Sequence, residues 1–244
     1  YLPYNVPHTP IQVQDSLFQK YRAKGIDDYT AGIYAMCETV DYNLKRLLDA
    51  LQESNLEENT VLFFLTDNGP NGVRYNGGMK GKKGSIDEGG VRVPLFVRWK
   101  DHFQPNQVVT ELADHIDILP TVLDLCGIPL PGEPQIDGRS LLPLLTGSNT
   151  KWAERPLFTY YNGKGAVRIN RYRLAVEKDG QTKLYDMWAD PSQLSDISRE
   201  QPDKTQEMHQ LYRDWLANVN PTDDNPPVEI GHPEQRGVDL PPTG

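Results

Sequence analysis

VLFFLTDNGPNGVRYNGGMKGKKGSIDEGGVRVPLFVRW, residues 61–99, decides the fold of this chain. The apolar run Val61 to Leu65 is too short for a helix and rich in strand-forming residues. Such a run fits a strand buried on both faces, as in a parallel sheet. It stops at Thr66-Asp67-Asn68-Gly69, and a loop rich in glycine and lysine follows. The second apolar run, Val93 to Trp99, predicts another strand, with Pro94 near its start where a missing N–H costs least. Open α/β sheets bind ligands beyond the carboxyl ends of their strands. Asp67 and Asn68 therefore stand at a candidate site, and their carboxylate and amide oxygens are hard donors suited to Ca²⁺ or Mg²⁺. Asn68-Gly69 is also a hairpin signal. The residues after Gly69 do not alternate as a returning strand would, which weakens that reading.

Charge adds a second observation. Residues 71–100 carry seven basic side chains against Asp87 and Glu88, inside a chain of net charge −9. Seven glycines in the same stretch permit close backbone approach. A basic, glycine-rich loop beside two oxygen donors suits a small, multiply charged anion held against a cation. The plain alternative, a solvated lysine loop, fits less well because both ends are anchored in apolar runs.

Three ordered pieces carry a resemblance. Asp67-Asn68-Gly69-Pro70, then Gly81-Lys82-Lys83-Gly84-Ser85, then Glu88-Gly89-Gly90-Val91-Arg92-Val93-Pro94 resemble the second half of the type I sulfatase family, in the alkaline-phosphatase-like superfamily. The ordered set is far more specific than any one piece, and the match runs from about Pro7 to Trp215. The resemblance implies an α/β fold, an alkaline-phosphatase-like sandwich with a largely parallel central sheet, only partly present here. It adds a small α+β C-terminal subdomain with an antiparallel sheet. It implies calcium-dependent hydrolysis of a sulfate ester through a formylglycine nucleophile. The C-x-P-S-R motif that yields formylglycine and the early Asp pair of the metal site do not occur in this chain. The resemblance therefore implies, as a partner, an N-terminal half of the same protein, with formylglycine and the other Ca²⁺ ligands in that half.

Residue by residue, the resemblance assigns Asp67 and Asn68 to the metal and Lys83 and His8 to catalysis. Lys83, rather than Lys82, directly precedes Gly84-Ser85 as the family lysine precedes its G-S/T. His8 stands in Val6-Pro7-His8-Thr9-Pro10, similar to a family P-H-x-P segment whose histidine contacts the sulfate group. On composition alone it reads as an ordinary loop histidine. Lys80 and Lys82 are expected to be solvated or substrate-facing, and Arg92 to pair with Glu88 or Asp87. The implied substrate is a sulfated small molecule or glycan, and the implied location periplasmic or secreted. Two other readings stay open: a phospho- or phosphonate-ester hydrolase of the same superfamily, and an inactive relic that binds anions or glycans.

The rest of the chain supports this frame. Its acidic balance (pI about 5.1) argues against general nucleic-acid binding, and no apolar stretch is long enough to span a membrane. Cys37 and Cys126 are too few for a disulfide framework and are expected as core thiols. Cys37 lacks the C-x-P-S-R context, so it is read as structural. Residues 1–25 read as irregular. Residues 28–54 read as an amphipathic helix with Asp27 or Asp28 at its start, expected to pack on the sheet beside Val61–Leu65. Leu112 to Asp114 reads as a short strand, and Asp117 as the cap of a helix through Leu125. Asp114, His115 and Asp117 are better explained by capping than by metal binding. Past Gly147, four short strand-like runs with breaks at Asn162-Gly163, Asn170-Arg171 and Asp179-Gly180 precede a helix from about Asp203 to Ala217. The expected organisation is residues 1–148 as the later half of the α/β domain, 149–220 as the C-terminal subdomain, and 221–244 as a proline-rich extended tail.

Overall fold

The computed structural model describes residues 1–148 and 152–219. The tail expected at 221–244 lies outside the described residues. Two helices open the chain, α1 (Asp15–Arg22) and α2 (Asp28–Glu53). Strand β1 (Leu62–Leu65), the short helix α3 (Glu88–Val91), and strand β2 (Leu95–Arg98) follow. Next come α4 (Ile118–Leu125) and α5 (Leu142–Leu145), then β3 (Leu157–Tyr161), β4 (Lys164–Arg168), β5 (Tyr172–Val176), β6 (Thr182–Asp186), and α6 (Pro202–Val219).

The mixed α/β character is as read from the sequence, but the pairing of the central strands is not. β1 and β2 run antiparallel, with Leu62 opposite Arg98 and Leu65 opposite Leu95. No parallel pair occurs among the described residues. β1 is half-buried rather than buried on both faces, because β2 is its single described neighbour. Phe64 and Phe96 meet across the pair with ring centroids 6.3 Å apart. Trp99 closes its end by donating an indole hydrogen bond to the Glu58 carbonyl at 2.9 Å.

Helix α2 begins where Asp27 accepts a hydrogen bond from the Thr30 N–H at 2.9 Å, which satisfies one orphan donor of the first turn. Its buried face is Ala31, Gly32, Ile33, Ala35 and Met36. That face turns to α1 and Ile11, so α1, not the sheet, is its close neighbour. Helix α1 lies inside the segment read as irregular. It buries no residue fully and is held by Tyr21 packed edge-on to Tyr34 and by Lys20 bonded to Glu38 at 2.7 Å. Its half-buried stripe of Leu17, Phe18 and Tyr21 spans a single eight-residue helix, shorter than the window over which a helical period is read. Both cysteines are exposed, not core thiols; Cys37 follows the buried face of α2 and Cys126 sits just past α4. Residues 112–114 form no strand; they run extended into a turn at His115–Asp117 with no strand beside them.

The C-terminal half is an antiparallel meander in the order β3-β4-β5-β6. Strand periodicity sends alternate residues to opposite faces. One face, with Val167, Leu174, Val176 and Leu184, is covered by α6 through Met208 and Tyr212. Trp215 and Leu216 extend the same helical stripe, and Phe158 stacks on Trp215 at 4.8 Å. The other face, with Ala166, Ala175 and Tyr185, packs on Ile86 of the glycine-rich loop. The sheet is thus held between a helix and that loop. Leu174 is fully buried at the centre of the helix-side core. Leu174→Ala is expected to lower stability by about 2–5 kcal/mol, read from the midpoint of denaturant unfolding with an unchanged m-value. A loss below about 1 kcal/mol would contradict this packing.

Candidate functional site

The loop between β1 and β2 folds back on itself through backbone contacts. The Gly69 N–H bonds the Gly90 carbonyl at 2.9 Å, the Lys83 N–H the Pro70 carbonyl at 3.0 Å, and the Gly89 N–H the Lys80 carbonyl at 2.7 Å. This packing leaves no room for side chains at its crossings. A Cβ on Gly69 would collide with the Gly89 carbonyl, and one on Gly90 with the carbonyls of Ser85 and Lys82. The D-N-G-P, K-G-S and E-G-G-V-R pieces are therefore three segments of one tightly folded knot, which explains why they need glycine in these places.

The knot is clamped from the C-terminal sheet. Glu88 is 5% exposed and Arg173 2% exposed, and Arg173 Nη1 donates to Glu88 Oε1 at 3.0 Å. Arg173 also donates to the Ile86 carbonyl. Arg168 Nε stands 3.4 Å from the same carboxylate oxygen, and Arg92 3.7 Å from the other. Burial pushes both the Arg173 and Arg168 guanidinium groups below their ordinary pKa, opposed by the Glu88 charge. The Glu88 N–H donates to Gln193 Oε1 at 3.0 Å, and Gln193 donates to Asp87 at 3.2 Å. Lys80, expected to be solvated or substrate-facing, instead donates to the Tyr185 hydroxyl at 2.8 Å and lies over that ring. Burial works against its charge, but the Tyr185 hydroxyl and Asp87 prevail and raise its pKa.

Two of the four candidate site residues meet in one cavity. Asn68, Lys83, Gly84, Ser85, Gly90, Val91 and Tyr161 line a depression of about 270 Å³. Asp67 is exposed beside it, and the Asn68 amide donates to the Asp67 carboxylate. The structure does not bring His8 to this set. Its ring is exposed, its Nδ1 lies 2.8 Å from the Thr9 carbonyl, and it does not line the cavity. Asp67 and Asn68 fit a hard cation in the chemistry of their oxygens. They supply two donor groups where Ca²⁺ takes about six to eight oxygens. No group of three or more His, Cys, Asp or Glu suited to a metal occurs among the described residues.

Capping accounts for residues 114–117, but on the turn at His115–Asp117; the Asp117 side chain makes no cap hydrogen bond to α4, at whose start it stands. Asp114 and Asp117 form a reciprocal capping box. The buried Asp117 carboxylate also accepts from the Arg139 N–H at 2.8 Å and from Arg155.

The Sulfatase family profile matches residues 1–128, and the profile of the N-sulphoglucosamine sulphohydrolase C-terminal region matches residues 81–220. This chain belongs to the sulfatase family. Steryl-sulfatase of Mus musculus is 42% identical over 135 residues, which is 51% of this chain and 22% of that protein. Arylsulfatase A of Homo sapiens is 37% identical over 164 residues, 63% of this chain and 32% of that protein. The chain thus spans well under half of these relatives. Among solved structures, Ps i-CgsB superposes with a TM-score of 0.78 at 25% identity, over 87% of this chain and 48% of that one. Ps i-CgsB has also been solved in complex with k-i-k-neocarrahexaose. The fold is that of the alkaline-phosphatase-like sulfatases.

Sequence reading missed the sheet's share of this site. Arg168 and Arg173 lie directly opposite in the β4–β5 register. Like charges so placed repel unless an anion lies between them. An arginine inside each of two neighbouring apolar strand runs was the signal available, and Glu88 is the anion. Removing one partner leaves a buried charge uncompensated. Arg173→Met is therefore expected to cost about 3–5 kcal/mol in denaturant unfolding, with Glu88→Gln recovering part of the loss when added to it. A cost near that of a surface substitution would contradict the clamp.

Proposed function

We propose that this chain is the sulfate-recognising part of a sulfuric ester hydrolase, and that Lys83 and Asn68 face the reacting group. The observation that carries this reading is their meeting in one cavity on a backbone knot whose three pieces are the three family motifs. The Lys83 ammonium places a positive charge against the sulfuryl oxygens, where negative charge grows as the ester bond breaks. The backbone bond from Lys83 to Pro70 fixes the base of that side chain relative to Asp67 and Asn68. His8 is assigned by the resemblance to contact the sulfuryl group and to give a proton to the leaving oxygen. It needs the 1–10 segment to close on the cavity. Asp67 and Asn68 would hold a calcium ion, which supplies charge that polarises the sulfate oxygens. The nucleophile, formylglycine by the same resemblance, and the remaining metal ligands belong to an N-terminal half of the protein.

That half has a surface to meet. Phe96 on β2 is 64% exposed, and Ile116, Leu119 and Val122, at three-residue spacing on and before α4, are exposed as well. Apolar side chains so aligned suit burial against the remainder of a sulfatase domain. The neocarrahexaose solved with Ps i-CgsB supports a glycan, and the family match a sulfate ester, as the substrate class. No helix among the described residues is long and apolar enough to cross a membrane, and the resemblance favours a periplasmic or secreted setting.

In the full-length protein, Lys83→Ala is expected to lower kcat/KM for a sulfate ester by about 100- to 1,000-fold. Unchanged sulfate-ester turnover, or turnover of a phosphate ester alone, would contradict the proposal. The metal assignment has its own readout. The isolated chain is expected to bind Ca²⁺ weakly, with a Kd of about 1 mM or above, because most of the ligand shell is elsewhere. Tight, saturable binding in calorimetry of this chain alone would contradict the half-site.

A further inference from the structure

Tyr161 is the one residue of the C-terminal sheet among those lining the cavity with Asn68 and Lys83. The register explains how it gets there. Tyr161 pairs with Lys164, Thr159 with Ala166, and Leu157 with Arg168. Ala166 and Arg168 belong to the face that meets the loop. Tyr161 shares that face, whereas Phe158 points the other way and stacks on Trp215. At the hairpin end of β3 the ring overhangs the knot beside Gly84. A Cβ on Gly84 would lie 3.7 Å from a ring carbon, an ordinary contact, and Tyr161 and Lys83 line the same cavity.

Among the described residues the ring belongs to neither apolar core. Tyr161 is 55% exposed. Among the described residues its hydroxyl makes no hydrogen bond and its ring meets no other ring or cation. Tyr185, on the same face, differs: it is buried, and its hydroxyl is engaged by Lys80. An aromatic face left open at the rim of an anion-binding cavity suits a ligand that is charged at one end and apolar at the other.

We propose that Tyr161 is a specificity-determining residue, whose ring supports the sugar ring that carries the sulfate ester. The inference rests on the reading of Asn68 and Lys83 as the sulfate-recognising pair. A pyranose presents a face of C–H groups, slightly positive and poorly hydrated, which matches the negative face of an aromatic ring. With the sulfate against Lys83, the rigid sugar ring is presented to Tyr161 at the cavity rim. Inorganic sulfate has no such face and gains nothing from the ring.

The test uses the full-length protein with a panel of pyranose monosulfates sulfated at different positions, and inorganic sulfate as a competitive inhibitor. Tyr161→Ala is expected to raise KM for the pyranose sulfates turned over by about tenfold while kcat stays within about threefold. The inhibition constant of inorganic sulfate is expected to stay unchanged. Tyr161→Phe, which keeps the ring and removes the hydroxyl, is expected to behave as the unsubstituted protein within about twofold. An unchanged KM in Tyr161→Ala overturns the inference and leaves the sulfatase reading intact. A parallel rise of KM and of the sulfate inhibition constant overturns it too, because it marks collapse of the cavity rather than loss of a sugar contact. Absence of turnover for every pyranose sulfate by an unsubstituted protein that still hydrolyses an aryl sulfate overturns this inference alone, whereas absence of turnover for every sulfate ester, aryl sulfate included, overturns the sulfatase reading and this inference with it.

Discussion

A single buried carboxylate governs how the two halves of this chain fit. Glu88 sits at the end of the glycine-rich loop, and Arg173 and Arg168 reach it from neighbouring strands of the C-terminal sheet. Taking such charges out of water costs several kcal/mol per ion, so the cluster is stable only with all its members in place. The two arginines would repel each other across β4 and β5 without the carboxylate, and the carboxylate would be stranded without them. Sheet and loop are therefore obliged to associate in one geometry. A purely apolar contact through Ile86 would hold them together but tolerate sliding.

That fixed geometry reaches the candidate site through the backbone. Glu88 starts α3, whose Gly89 and Gly90 are bonded to Lys80 and Gly69. Gly69 follows Asp67 and Asn68, and Pro70 holds the backbone of Lys83. A chain of short hydrogen bonds thus links the buried ion cluster to the proposed metal and sulfate ligands, with no flexible side chain among its links. The meander serves both ends of this arrangement. Its loop-side face holds the knot in place, and its hairpin end brings Tyr161 to the cavity.

Local signals in the sequence carried much of this. Asn162-Gly163 and Asp179-Gly180 marked two hairpins of the meander, and the apolar spacing with Asp27 marked α2. The sulfatase motifs placed Asp67, Asn68 and Lys83 in order along the loop. What stayed hidden was long-range. A hairpin signal reports a turn of a few residues, so the antiparallel return of β2 after residues 66–94 left no local trace. Strand alternation separates two faces without saying what each will meet, and so Arg168, Arg173 and Tyr161 read as ordinary strand residues. Helix α1 carries its stripe, Leu17, Phe18 and Tyr21, over only eight residues, too short a run to stand out as a helical period. The cysteines read as core thiols because thiols are usually buried, whereas both are exposed.

The central claim is that Asp67, Asn68 and Lys83 converge on one sulfate and one cation, held there by the braced loop. A crystal structure of the full-length protein grown with Ca²⁺ and sulfate tests it most directly. The account requires a cation at about 2.3–2.6 Å from oxygens of Asp67 and Asn68. It also requires a sulfate within hydrogen-bond distance of Lys83 Nζ, at about 2.7–3.2 Å. A cation bound away from Asp67, or a sulfate held with Lys83 turned outward, would contradict it.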